Sequence, residues 1–282
     1  MKILAIEASA LTASVAVTED DLLKGEFTVN NKLTHSETLL PMLQSMTEIS
    51  GIGLKDVDAI AVSAGPGSFT GLRIGAATAK GLALAYDRPV IKVPTLAAMA
   101  YTLSLVSDAV ICPIMDARRG QVYSAAYHSD AELLGEDARD IHEFIRELND
   151  CVPEEQRSYI FLGDGVPVWS DVISAELEGD VSFAGADCNR QRAAGVAVLG
   201  SVLYGKWLVR SGLTAEEVRV KGADAIGCFD ETVMNSDDFA PDYLRKSQAE
   251  REMEQGILED PGMHSLKKMQ SGGPRHGRTA ER

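Results

Sequence analysis

The sequence predicts an α/β protein of two lobes built on one plan, and three observations carry that expectation. Short apolar runs such as Lys2–Ala8 and Ala59–Ala64 have the length and the Ala, Ile and Val content of buried strands. Stretches with helical spacing separate them, among them Ile141, Phe144, Ile145 and Leu148. The order of these elements in the first hundred residues then returns in the second hundred. At 282 residues the chain is long enough for two compact lobes with sizeable cores.

In chain order, Lys2–Ala8 is a strand, Ala13–Thr18 its hairpin partner, and Leu22–Val29 a third strand after the acidic turn Glu19-Asp20-Asp21. Thr34 and Glu37 form a capping box that opens a helix to about Ser50, stopped by Gly51 and Gly53. Pro41 lies inside it and should kink it or delay its start. The Ala59 strand, a helix rich in small residues, a strand at Pro89–Val93 and a helix from Thr95 complete the order βββαβαβα. The second half repeats it: strands at Ala109–Met115, Gln121–His128 and a short Glu132–Gly135; a helix at Ile141–Leu148; a strand at Tyr159–Leu162; a helix near Val168–Leu177; a weak strand Val181–Phe183; and a long helix Arg192–Arg210. The repeat is one of element order rather than of sequence.

Two copies of three antiparallel strands with αβα units give the actin-like (ASKHA, RNase H-like) architecture, which by itself does not fix a function. The expected lobes are residues 1–105, completed by the helix at 191–211, and residues 106–190. After Gly212 comes an acidic appendage, 212–255, in which Pro241–Arg245 reads as a docked terminal strand. Residues 256–282 have the Gly, Pro, Ser and Arg content of a disordered tail.

A formal charge of −15 argues against an independent nucleic-acid binder, which needs clustered Lys and Arg. No apolar run reaches membrane-span length, and MKILAIEAS reads as a strand rather than a signal peptide, so a cytoplasmic protein is expected. Cys112, Cys151, Cys188 and Cys228 are scattered and read as reduced thiols. Metal binding looks poor, since His35, His128, His142, His264 and His276 never stand four apart or near a cysteine at ligand spacing.

The stretch Asp58–Tyr86 carries the most information. Its Gly65-Pro66-Gly67-Ser68 loop precedes a helix, where backbone N–H groups could cradle an anion and Thr70 could cap. It is no Walker loop, since no Gly-Lys-Ser/Thr follows at the required spacing. A tight turn setting the helix on its sheet is the plainer reading. Glu7 and Ser9 at the first hairpin join Gly65 and Gly67 as vestigial anion contacts. Glu7, Asp116 and Asp164 could converge on one cleft as catalytic acids, but no nucleophile elbow or base accompanies them.

Two helices carry surplus surface. Leu39, Leu40, Met42, Leu43, Met46 and Ile49 cover about half the circumference of the first, more than a one-sided surface helix needs. On the second, Gly71, Gly75, Ala79 and Ala83 fall every fourth residue, although a helical glycine costs about 1 kcal/mol against alanine. A deeply buried helix accounts for the first stripe alone; a partner interface on Leu39, Leu40, Met42, Leu43, Met46, Gly71, Ile74, Gly75 and Ala79 accounts for both. On that reading Arg at Gly75 should abolish partner binding and spare the fold.

These residues resemble the TsaB (YeaZ) family of tRNA threonylcarbamoyladenosine (t6A) synthesis. The likeness runs through ILAIEASALTASVAV, HSETLLPML, AVSAGPGSFTGLRIGAATAKGLA, MDARRGQVYSAAY and PDYLRKSQAERE, over roughly residues 1–250. Glu7-Ala8 departs from the commoner Asp-Thr, and Gly222–Phe239 matches loosely. The resemblance implies an actin-like fold and a non-catalytic scaffold that binds TsaD through its first two helices, with the ATPase TsaE joining. TsaD would modify the adenosine beside the anticodon in tRNAs reading ANN codons. ATP and a metal are expected in those partners and no cofactor in this chain, which would form a homodimer when alone and meet tRNA only indirectly. TsaD's two metal-binding histidines fall here on Thr95 and Met99, which cannot hold iron or zinc as histidine does. The alternative is an independent actin-like ATP-dependent transferase or peptidase.

Overall fold

The computed structural model of the chain describes residues 1–245 except 21, 32, 130 and 227–229. Residues 1–244 make one compact unit. Its elements are β1 (Lys2–Glu7), β2 (Ala13–Glu19), β3 (Leu22–Val29), α1 (His35–Ser50), β4 (Ala59–Gly65), α2 (Phe69–Tyr86), β5 (Val90–Pro94) and α3 (Thr95–Ser104). The second half follows with β6 (Val110–Arg118), β7 (Gln121–His128), β8 (Ala131–Asp140), α4 (Ile141–Cys151), β9 (Ser158–Leu162), α5 (Val166–Glu176), β10 (Asp180–Phe183) and α6 (Ala193–Ser211). α7 (Ala215–Lys221) and β11 (Val233–Met234) come last.

The first sheet has the order β11-β5-β4-β1-β2-β3 and the second β10-β9-β6-β7-β8. Without β11 the two orders are the same, position for position, and in both the three leading strands are antiparallel and the next two parallel. The duplicated, actin-like α/β plan expected from the sequence is therefore present in the topology.

Burial explains the layering. α1 and α2 cover one face of the first sheet, where Leu39, Met42, Leu43 and Met46 pack with Leu4, Ile6, Val15 and Val62. α6 covers the other face through Val196, Ala197, Tyr204 and Trp207. α4 and α5 close the outer face of the second sheet around Phe144, Leu148, Tyr159 and Phe161. α3 belongs to the first half by sequence, yet its Leu96, Met99 and Ala100 pack on Ile111, Met115 and Leu162 of the second sheet. Each half thus covers the other's sheet with its last helix. The two helices cross at Gly195, where an added Cβ would lie 2.6 Å from the Ala98 carbonyl oxygen.

Four local expectations change. α1 begins at His35, ahead of Pro41, because the Thr34–Glu37 capping box fixes its start and Pro41 sits on the exposed side. The cap of α2 is Ser68, whose Oγ accepts the Gly71 N–H at 3.3 Å, rather than Thr70. β8 runs ten residues instead of four; it is an edge strand pairing only with β7, so its polar half needed no apolar signal. The added strand of the appendage is Val233–Met234 on β5, whereas in the expected Pro241–Arg245 strand no residue is paired as a strand, and Asp242 meets the sheet through its N–H to the Ala64 carbonyl and its contact with Lys92. The tail 256–282, Cys228, His264 and His276 lie outside the described residues.

Candidate functional site

Glu7, Ser9, Gly65 and Gly67 come close together at the C-terminal ends of β1 and β4; the Ser9 backbone is engaged within the cluster, while its Oγ is buried without a hydrogen-bond partner. Glu7 is buried, and its carboxylate accepts the Ser9 N–H at 2.5 Å; burial raises its pKa. The Ser9 carbonyl takes the Ser68 N–H at 2.6 Å, and Gly67 lies so close that a Cβ there would sit 2.4 Å from that oxygen. Gly65, at φ 127°, is covered by the Asp242 backbone, whose N–H donates to the Ala64 carbonyl at 2.7 Å. The loop is packed as a turn on the first hairpin, and its glycines serve close approach.

The three candidate acids do not share a bonded network. Asp116 turns its carboxylate to the Arg118 N–H at 2.8 Å and so holds the β6–β7 turn, where Arg118 and Arg119 take φ of 63° and 57°. Asp164 lies beside the Asp116 backbone, Arg190 and Gln191, and burial raises its pKa. No hydrogen bond among the described residues joins either of them to Glu7. Thr95 and Met99 are both buried, Met99 against Gly163. Among the described residues there is no group of three or more His, Cys, Asp or Glu able to hold a metal.

The surplus apolar surface is redistributed. Leu39, Met42, Leu43 and Met46 are at most 8% exposed and belong to the chain's own core, so they offer no free contact surface. Each such burial stabilises the fold by about 1.5–3 kcal/mol. The Gly71–Ala83 ridge likewise faces inward. A Cβ at Gly71 would lie 2.1 Å from the Ala8 carbonyl oxygen, one at Gly75 would lie 3.3 Å from the Ala8 Cβ, and Ala79 is fully buried. The ridge exists so that α2 can lie on β1, and Arg at Gly75 would break the fold before any interface. Ile74 is half-buried in the same cluster. What α1 and α2 show outward is Leu40 (58% exposed), Ile49 (76%) and Leu84 (74%), with Ala77 and an open Gly81. Sequence spacing sees an over-wide stripe; only the sheet beneath decides which part of it is outside.

A feature the sequence reading missed joins the halves. On β3, Glu26 accepts the Ala194 N–H at 3.0 Å and caps α6; on β8, Glu136 accepts the Ala97 N–H at 2.8 Å and caps α3. Both glutamates follow a glycine and two nearby leucines, Leu22-Leu23-Lys24-Gly25-Glu26 and Leu133-Leu134-Gly135-Glu136. That short likeness was the available signal. Glu26 also binds Arg192, with Nε 3.1 Å from Oε2 and a second, short contact from Nη2. Glu136 has the Tyr127 hydroxyl at 3.4 Å and the like charge of Glu132, and burial lifts its pKa to about 7. Beside it opens a cavity of about 260 Å³ walled by Pro66, Pro94, Ala97, Tyr127, Glu132 and Leu244.

Comparison with known proteins settles the family. Residues 30–253 match the family model described as TsaD, tRNA N6-adenosine threonylcarbamoyltransferase. The tRNA threonylcarbamoyladenosine biosynthesis protein TsaB of Bacillus subtilis is 31% identical over 251 residues, 89% of this chain and 96% of its own. The chain belongs to the TsaB family. TsaB of Haemophilus influenzae is 42% identical over 203 residues, covering 66% of this chain and 82% of that protein. A solved structure of YeaZ from Pseudomonas aeruginosa superposes with a TM-score of 0.65 at 23% identity, over 86% of this chain and 99% of that one, and shows the same fold. In this member of the TsaB family the glycine loop and the ridge of α2 are internal packing features, and no helix of the described residues is long and apolar enough to cross a membrane.

Proposed function

We propose that the chain is a non-catalytic subunit in the cytoplasm that docks on and activates TsaD, with TsaE joining the pair, for t6A synthesis on tRNA. The observation carrying this is the closed state of the former phosphate loops: Ser68 donates to Ser9, Ser9 to Glu7, and Asp116 serves a turn. The Glu7 carboxylate and the loop backbone are engaged within the chain, so ATP and metal chemistry is assigned to the partners, and this chain meets tRNA only through them. The names of the full-length relatives support the pathway.

The docking surface is the outer side of α1 and α2 around Leu40 and Leu84, with Ala77 and Gly81 allowing another helix to approach closely. In the partner's absence the same face pairs two copies of this chain. Leu40→Arg with Leu84→Arg changes only exposed positions, so the fold should stay intact while co-elution with TsaD and its stimulation are lost. A folded double variant that still co-elutes and stimulates fully would refute the placement.

A further inference from the structure

The segment that follows β11 is tied along one side of α2. Lys80 Nζ donates to the Asp237 and Phe239 carbonyls at 3.4 and 3.1 Å, and the Phe239 side chain is buried in the core beneath α1 and α2. Further on, the Asp242 N–H bonds the Ala64 carbonyl and its carboxylate pairs with Lys92, both at 2.7 Å. Tyr243 then lies against the start of α2. Its ring centroid is 4.8 Å from that of Phe69, and its hydroxyl accepts the Arg73 Nε–H at 3.3 Å. The Arg73 guanidinium in turn lies 3.9 Å from the centroid of the Phe69 ring.

Arg73 is exposed, and it stands in one row with Ala77, Gly81 and Leu84, the outward residues of α2. Spacings of four, four and three place them on one face of the helix. From this we propose that the docking face runs on past α2 to Tyr243, which is 41% exposed, and that Tyr243 is a positioning residue that aims the Arg73 guanidinium at a carboxylate on the helix of TsaD. The inference rests on the docking reading above. A helix lying close over Ala77 and Gly81 must bring its next turns over Arg73. An arginine already held by a ring and a hydroxyl loses less rotamer freedom on binding than one that swings. Its planar fork of N–H donors matches a carboxylate. Arginine and tyrosine are also among the residue types that carry most of the energy of interfaces.

Calorimetric titration of the full chain with TsaD, without and with ATP, tests it. Arg73→Gln should weaken binding about 10-fold and flatten its dependence on NaCl from about 50 to about 300 mM. Arg73→Lys keeps the charge but not the fork, so it should keep the salt dependence and recover only part of the affinity. Tyr243→Ala should weaken binding in the wild-type background and add little in the Arg73→Gln background, with the fold checked by circular dichroism. A separate structural role for Tyr243 would instead make the two losses multiply, and that result overturns the positioning. Folded Arg73→Gln that binds as tightly as wild type overturns the inference, while the docking reading stands if Leu40→Arg with Leu84→Arg still abolishes binding. If that double variant binds fully, the docking reading fails and takes the inference with it. An Arg73 effect that appears only with ATP assigns the contact to a phosphate and overturns the carboxylate.

Discussion

Replacing Glu136 by glutamine should make the protein more stable at alkaline pH, although it removes a helix-capping charge. Glutamine keeps an oxygen for the Ala97 N–H, so the 2.8 Å bond survives, while the buried charge disappears. The wild-type carboxyl moves from its ordinary 4.5 to about 7 on folding. A carboxyl with a raised folded pKa favours folding most below the unfolded value, and the advantage is lost as pH climbs from 4.5 to 7. Linkage over that interval removes about 3 kcal/mol, of which roughly 2–3 kcal/mol falls between pH 5 and pH 8. Urea unfolding of both proteins at pH 5, 6, 7 and 8 measures the difference directly, and other titrating groups cancel in it. The variant should gain on the wild type by about that amount across the series. A difference that stays flat with pH would mean that Glu136 ionises normally in the fold and that its burial does not raise its pKa.

Gly71→Ala should destabilise by about 1–3 kcal/mol or more, because the new Cβ meets the Ala8 carbonyl oxygen at 2.1 Å. Gly81→Ala on the same helix meets nothing within 4 Å and should stabilise by roughly 0.5–1 kcal/mol; thermal melts that shift the same way for both would contradict the packing. Arg192→Ala should cost about 1–3 kcal/mol, since Glu26 keeps its helix N–H but loses its cation. His142, raised by its 2.7 Å contact with Glu176, should add stability below its ordinary 6.5 and lose it as pH rises through the higher folded value. His142→Ala should therefore differ from wild type in acid and converge with it in alkali.

The strands and helices were legible because their periodicity is local. Ala59–Ala64, the Thr34–Glu37 cap and the spacing of Ile141, Phe144 and Leu148 each announce their element without help from elsewhere. β8 was underread because an edge strand can be polar on both sides, so Glu136-Asp137-Ala138-Arg139 gave no alternation to follow. The site was harder. A small-residue ridge on α2 requires closeness to something, but spacing cannot say whether that is a partner's helix or the chain's own β1. The Met42 and Met46 stripe was ambiguous in the same way, and Leu40 differs from Leu39 only in what lies beneath it. The pairing of Glu26 with Arg192 spans 166 positions, and nothing along the chain links the two until the sheets are stacked.

The exchange of last helices has a consequence for how this chain can be divided. A fragment ending after α3 would carry Leu96, Met99 and Ala100 with no sheet to bury them, and its own sheet would lack the cover of Tyr204 and Trp207. The complementary fragment would have the reverse defect. The halves are therefore mutual clients, neither a finished domain, and their geometry is that of two single-sheet protomers that swapped a terminal helix and were then fused end to end. Cutting the chain between Ser104 and Val110 should yield pieces that recover structure only in each other's company.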